Sequence, residues 1–333
     1  MKKILISDEI KGMAKDYALR ILNDENVISE LQRLKKKLRG NERRYIEKII
    51  MHLPKILEML PWEYRDFHAN YFSEFDSGAV NAVNLSREIS IKDKKGRSKT
   101  KSLYMWIVSA LKYSVVQQTI FPQYIQKMSI RSCVYCNAQY AVSAKKGKTD
   151  KSSVYRSTYN LDHWKPKKRY PYLAVAFYNL YPCCPACNQG KSSNEKDWCM
   201  YANVGESPNP YKFRLDDTSL LNYLMTWDVE QLKIDFVDNG NNPIGSPPSY
   251  DYDKDFHIQK LYNNFKSEVE EVIWRKRIYN QSMVKAMKQS GVYAIKPQDV
   301  RRFIIGNYDR ESDIMRRPLA KLVQDIAKQI GLI

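Results

Sequence analysis

The chain has 333 residues, 43% of them hydrophobic, so it can bury a sizeable core and is not composed like a disordered chain. It carries 55 basic and 37 acidic residues, a net charge of +18, which favours a polyanionic partner because neutralised phosphates release condensed counterions. A soluble basic protein with no nucleic-acid role is the plain alternative. No apolar run approaches the about 18 residues needed to cross a bilayer, and no basic amphipathic helix shows a clean apolar face for a membrane surface. The opening MKKILISDEIKGMAKDY has no apolar stretch long enough for a secretion signal, so the chain reads as cytoplasmic.

Residues 1–125 read as a helical region. Val27, Leu31, Leu34 and Leu38 form an amphipathic stripe, with Gly40 as a stop and Asn41 as a cap for the next helix. That helix carries Tyr45, Ile46, Ile49 and Ile50, and Pro54 is expected to bend or end it. Residues 92–101, KDKKGRSKTK, read as a basic loop, followed by one helix from about Leu103 to Gln118. In the middle region, 126–200, residues 145–151 read as a polar turn and 154–161 as a strand. The last region, 201–333, opens with strand-like alternation over 226–237 and a loop over 240–249. One long helix is then expected through Leu261, Phe265, Val269, Val272 and Ile273, and a last one through Leu319, Leu322, Val323, Ile326 and Ile330. The expected fold class is mainly α with a small α+β module near the middle.

All six cysteines lie in the middle region. Cys133-x-x-Cys136 and Cys184-x-x-Cys187 are knuckle-like pairs that suit tetrahedral Zn²⁺. Cys184 is preferred to Cys183 because it makes the two-residue spacing with Cys187. Cys199 reads as a small buried apolar residue. The 47 residues between the pairs exceed what a zinc ribbon needs, so a functional element is expected inside them. Chance clustering of buried thiols is the competing explanation.

Inside that insertion stands Leu161-Asp162-His163-Trp164-Lys165-Pro166. Asn179 comes 16 residues after His163, Asn188 nine residues later, and Lys191 three beyond that. The order Asp-His, Asn, Asn between two C-x-x-C pairs resembles the HNH, or ββα-metal, nucleases over roughly residues 130–197. Its last position is Asn rather than His, a substitution common in that family. The stretch LDHWKPKKRYPYLAVAFYNLYPCCPACNQGKSS is similar to the core of the HNH subunit of Septu-type and retron-associated anti-phage defence systems. FHIQKLYNNFKSEVEEV and RRPLAKLVQDIAKQIGL carry a weaker likeness.

The resemblance implies a cation-dependent phosphodiesterase acting on DNA. Histidine suits a general base, and Asp162 and Asn188 offer hard oxygen ligands to Mg²⁺ or Mn²⁺. By resemblance, Asn179 ties down the loop that carries His163. Lys191 is expected on a phosphate, and Lys165, Lys167, Lys168 and Arg169 on the nucleic acid beside it. The implied partner is a separately encoded ABC- or SMC-like ATPase, since this chain has no G-x-x-x-x-G-K-[ST]. Two alternatives stay open: a non-catalytic zinc-stabilised nucleic-acid- or protein-binding module, and an RNA-directed nuclease. Each residue alone has an ordinary explanation, such as a turn for Asn179, a helix cap for Asn188 or a solvated charge for Lys191.

Overall fold

The computed structural model of the chain describes residues 1–92, 96–148, 153–192, 195–196, 198–238, 252–289 and 297–333. Helices supply most of the regular structure, and the strands pair into small two-stranded sheets, as the sequence leads one to expect. No helix among the described residues is long and apolar enough to cross a membrane.

After β1 (Ile4–Leu5), helix α1 (Asp8–Asp24) starts where the Ser7 side chain accepts the Ile10 amide at 3.4 Å. Asp8 and Glu9 complement its dipole. Helix α2 (Val27–Lys36) buries the predicted Val27, Leu31 and Leu34. Gly40 opens rather than stops a helix: α3 (Gly40–Glu58) begins there, and a φ of +53° at Gly40 makes the turn. Asn41 therefore lies inside α3. Pro54 does not end it, because that residue sits on the exposed face while Leu53, Ile56 and Leu57 are fully buried and hold the last turn. Helix α4 (Tyr64–Tyr71) follows.

Of the basic stretch expected as a loop, Lys92 ends β2 (Glu88–Lys92) and 98–101 belong to β3 (Ser98–Ser102), its antiparallel partner, while 93–95 lie outside the described residues. Ile91 is buried and the Trp106 indole donates to the Ile89 carbonyl at 2.9 Å, which anchors one side. The helix expected over 103–118 breaks into α5 (Leu103–Ala110) and α6 (Tyr113–Val115), then a π-type turn and α7 (Phe121–Lys127). The break falls at Lys112, whose φ is +58°, and Tyr113 then donates its hydroxyl to the Leu161 carbonyl at 3.0 Å.

In the middle region, β4 (Ser143–Lys148) pairs with β5 (Ser153–Ser157), so the first part of the expected polar turn is a strand; 149–152 lie outside the described residues. The strand expected over 154–161 is split. After β5 the chain turns, and β6 (Asn160–His163) starts a separate hairpin with β7 (Leu180–Cys183). Helix α8 (Pro185–Lys191) follows at once, with proline in its first turn, where no N–H is missed. Strand β8 (Tyr201–Ala202) runs parallel to β1.

Strand β9 (Tyr211–Leu215), helix α9 (Asp217–Thr226) and strand β10 (Ile234–Asp238) come next, with β9 and β10 antiparallel. Only the end of the alternating 226–237 stretch is strand, and the expected 240–249 loop lies outside the described residues. Helix α10 (Tyr252–Phe256) comes first, and the single long helix expected through Leu261 and Ile273 is two, α11 (Ile258–Tyr262) and α12 (Lys266–Ile278), parted at Phe265. A left-handed His257, φ +49°, separates α10 from α11. Helices α13 (Gln281–Gln289), α14 (Pro297–Ile305) and α15 (Ala320–Gln329) complete the chain, and α15 buries the predicted Leu322, Val323 and Ile326.

One hydrophobic core runs through all three regions, from Met1 to Ala327. Tyr17 of α1 donates to the Val175 carbonyl at 2.7 Å. Asn137, just past the first cysteine pair, donates to the Ile314 carbonyl at 3.0 Å and accepts the Lys321 amide at 3.0 Å. The flanking helices thus complete the core of the cysteine-bearing module. Helices α8 and α10 meet so closely that a Cβ on Gly190 would lie 2.5 Å from the Asp255 carbonyl oxygen. Gly190→Ala is expected to cost about 1–3 kcal/mol of overpacking strain. A thermal melt matching the parent's would show that the two helices are free to part.

Candidate metal centre and adjoining cleft

The sulfurs of Cys133, Cys136, Cys184 and Cys187 all lie within 4.8 Å of one another and are buried. Cys136 and Cys184 Sγ are 3.9 Å apart, against the about 3.8 Å between ligands of a tetrahedral site with Zn–S near 2.3 Å. The four could hold a metal ion such as zinc. Four buried sulfurs this close together are the soft donor set that suits such an ion. A dication among them favours all four thiolates together. Cys183 is outside the group and donates weakly to the Asn160 carbonyl at 3.7 Å. Cys199, half-buried, lies 3.2 Å from the Tyr181 hydroxyl.

Strand β6, helix α8 and the segment from Pro166 to Lys168 form the walls of a cleft. Its cavity, about 470 Å³, is lined by Asp162, His163, Lys167, Lys168 and Asn188 among others. Strand β6 places Asp162 and His163, and α8 places Asn188 one residue past Cys187. The His163 ring is only 6% exposed, and its Nε2 bonds the Ala174 carbonyl at 3.0 Å. A carbonyl only accepts, so Nε2 carries the proton and the neutral ring has its lone pair on Nδ1. Burial, then Lys167, push the His163 pKa down to about 3. Burial raises that of Asp162 although Lys191 opposes it.

Asn179, fully buried, accepts the Lys165 amide at 2.7 Å and donates to the Lys165 and Leu173 carbonyls at 3.1 and 3.0 Å. Its own carbonyl accepts the Trp164 amide. It ties down the chain immediately after His163.

Lys191 differs from the expectation of a phosphate contact. It is 1% exposed, lies 3.1 Å from Asp162 Oδ2 and donates to the His163 carbonyl at 2.7 Å. Its ammonium is thus paired with Asp162 inside the protein and does not face the cleft, whose lining does not include it. The basic cluster also divides. Lys165 and Arg169 pair with Glu195 at 2.6 and 2.8 Å, and Tyr170 donates to the same carboxylate. Lys167 and Lys168 line the cleft, with Lys167 5.0 Å above the Tyr113 ring.

Two residues at this site escape a reading of the sequence. Tyr135 donates its hydroxyl to Asp162 Oδ2 at 2.5 Å. Its place between Cys133 and Cys136 is the available signal. Tyr113, whose ring lies 4.8 Å from His163, has none, because it reaches the site from 50 positions upstream. Comparison of the chain with family models, curated proteins and solved structures finds no match.

Proposed function

We propose that the chain is an HNH-type endonuclease that hydrolyses phosphodiester bonds of DNA, with β6, β7 and α8 as its ββα-metal element. The observation that carries this reading is the convergence of Asp162, His163 and Asn188 on one cavity beside a four-cysteine centre. Asp162 and Asn188 would hold a divalent cation such as Mg²⁺ or Mn²⁺, and both offer the hard oxygen such ions prefer. When bound, that ion would supply charge relief to the phosphate and its leaving oxygen. His163 is the base: its lone pair on Nδ1 takes a proton from water, while Ala174 holds the ring. An incoming phosphate counters the charge of Lys167, which lines the cleft, and makes the imidazolium easier to form. Asn179 keeps the loop in place. Lys191 and Tyr135 are positioning residues that hold the Asp162 carboxylate.

One observation favours the rival, a non-catalytic zinc-stabilised binding module. The Asp162 carboxylate has partners within the protein, Lys191 and Tyr135, which a purely structural role would also give it. Incubating the purified chain with plasmid and with tRNA separates the readings. Cutting of plasmid that needs added Mg²⁺ or Mn²⁺ is expected. No cutting of either under any cation leaves the binding module, and cutting of tRNA alone makes the chain an RNA nuclease.

We further propose a role in anti-phage defence under control of an ABC- or SMC-like ATPase. Leu221, Met225, Trp227, Trp274, Ile278 and Phe303 are exposed on the C-terminal helices, where such a partner could dock. Co-expression with neighbouring genes should yield a complex burying at least about 1,000 Å². A chain that purifies alone and cuts at full rate sinks the idea of control.

A further inference from the structure

The cleft holds an aromatic ring that the chemistry proposed above does not use. Tyr104 lines the same cavity of about 470 Å³ as His163 and Asn188. Apart from the His163 imidazole, the rest of that lining is aliphatic or polar.

The backbone fixes where this ring stands. Tyr104 is the second residue of α5, and its amide donates to the Leu85 carbonyl at 2.9 Å. The amide before it, of Leu103, donates to the Arg87 carbonyl at 2.9 Å. Leu103 is fully buried and points into the core, whereas Tyr104 is half-buried at the cleft. Tyr113, the other tyrosine near His163, is already engaged: its hydroxyl donates to Leu161 and Lys167 lies over its ring. The Tyr104 side chain has no hydrogen bond or ring contact among the described residues. Lys168, on the same lining, is exposed and has no ion pair among them either, unlike Lys165 and Arg169. One small cavity thus offers a free aromatic ring and a free cation, which match the base and the phosphate of a nucleotide.

We propose that Tyr104 stacks on a base flanking the phosphate bound beside His163, so that the cleft takes an unpaired nucleotide of a DNA strand. The position of the phosphate and the choice of DNA rest on the nuclease reading. A paired base has both faces covered by its neighbours in the stack. It must be unstacked before a ring fixed in the protein can reach it. A single-stranded, looped or frayed stretch presents its base faces freely. Stacking tolerates every base, because each has a π-face. Tyr104 therefore selects the state of the strand and not its sequence, and Lys168 holds the phosphate.

Binding is measured without cutting. The full chain carrying His163→Ala is titrated with a short single-stranded DNA and with a strand of equal length whose sugars carry no bases. Adding Tyr104→Ala should weaken binding of the first strand at least about fivefold, the lower end for one lost stack. It should leave binding of the baseless strand unchanged. Tyr104→Phe, which keeps the ring, should bind both as the parent does. The slope of log K against log salt should not move in either Tyr104 variant. Lys168→Gln should reduce that slope by about 0.7 on both strands, the value for one phosphate of a single strand. Zinc content and a thermal melt confirm that each variant is folded. An unchanged affinity in Tyr104→Ala, or an equal loss on the baseless strand, would overturn the proposal. So would a loss seen on single-stranded RNA alone, or a wild-type chain that cuts relaxed duplex as fast as single strands. A wild-type chain that binds single strands through Tyr104 yet cuts nothing sinks the nuclease reading and leaves the stacking site standing.

Discussion

His163→Ala is expected to lower cation-dependent plasmid cutting by about 10²–10⁴-fold, the usual cost of losing a general base. The chain should keep its zinc, because the imidazole is not one of the four clustered sulfur groups and its Nε2 bonds the Ala174 carbonyl instead. Stability should fall modestly. The buried Ala174 carbonyl loses a donor, worth about 1–3 kcal/mol, and the vacated space lies beside an open cleft that water can enter. Rate and stability therefore part company: a large loss of cutting with a small loss of melting temperature. The measurement is initial rate of plasmid nicking alongside zinc content and a thermal melt. Undiminished cutting would place the base elsewhere, and Tyr113, 4.8 Å from the same ring, would be the next residue to replace.

Cys184→Ser and Cys183→Ser are adjacent substitutions with opposite expected outcomes. Cys184 is one of four sulfurs within 4.8 Å of one another, whereas Cys183 is turned to the Asn160 carbonyl. Structural zinc contributes on the order of 10 kcal/mol of folding free energy in small peptides, comparable with the whole net stability of a typical domain. Removing one thiolate should therefore strip the metal and unfold the middle region. The damage should spread, since the Tyr252 hydroxyl donates to the Tyr135 carbonyl at 2.6 Å and the Tyr262 hydroxyl to the Cys136 carbonyl. Cys136→Ser should behave as Cys184→Ser. Cys183→Ser should retain a full equivalent of zinc, because a hydroxyl can donate to the same carbonyl. Elemental analysis of natively purified protein reads the result directly. Equal zinc in the two serine variants, or none in the parent chain, would remove the metal assignment.

What the sequence by itself determined was local. The two C-x-x-C spacings named the four thiols that come together and separated Cys184 from its neighbour, because a two-residue gap brings both sulfurs of a pair to one side of a tight turn. The 3.6-residue stripes in α2, α3 and α15 were legible for a similar reason: burying one face is a property of the segment alone. Tertiary structure decided the rest. A basic run became a ribbon because Ile89 and Ile91 found Trp106, and continuous helical patterns broke at Lys112, held in the left-handed region, and at Phe265. Above all, charge pairing was invisible in the sequence. Whether Lys191 meets solvent or Asp162, and whether Lys165 and Arg169 face outward or close on Glu195, depends on which carboxylate is buried nearby. A desolvated charge must find its opposite wherever the fold supplies it, and spacing along the chain does not reveal where that is.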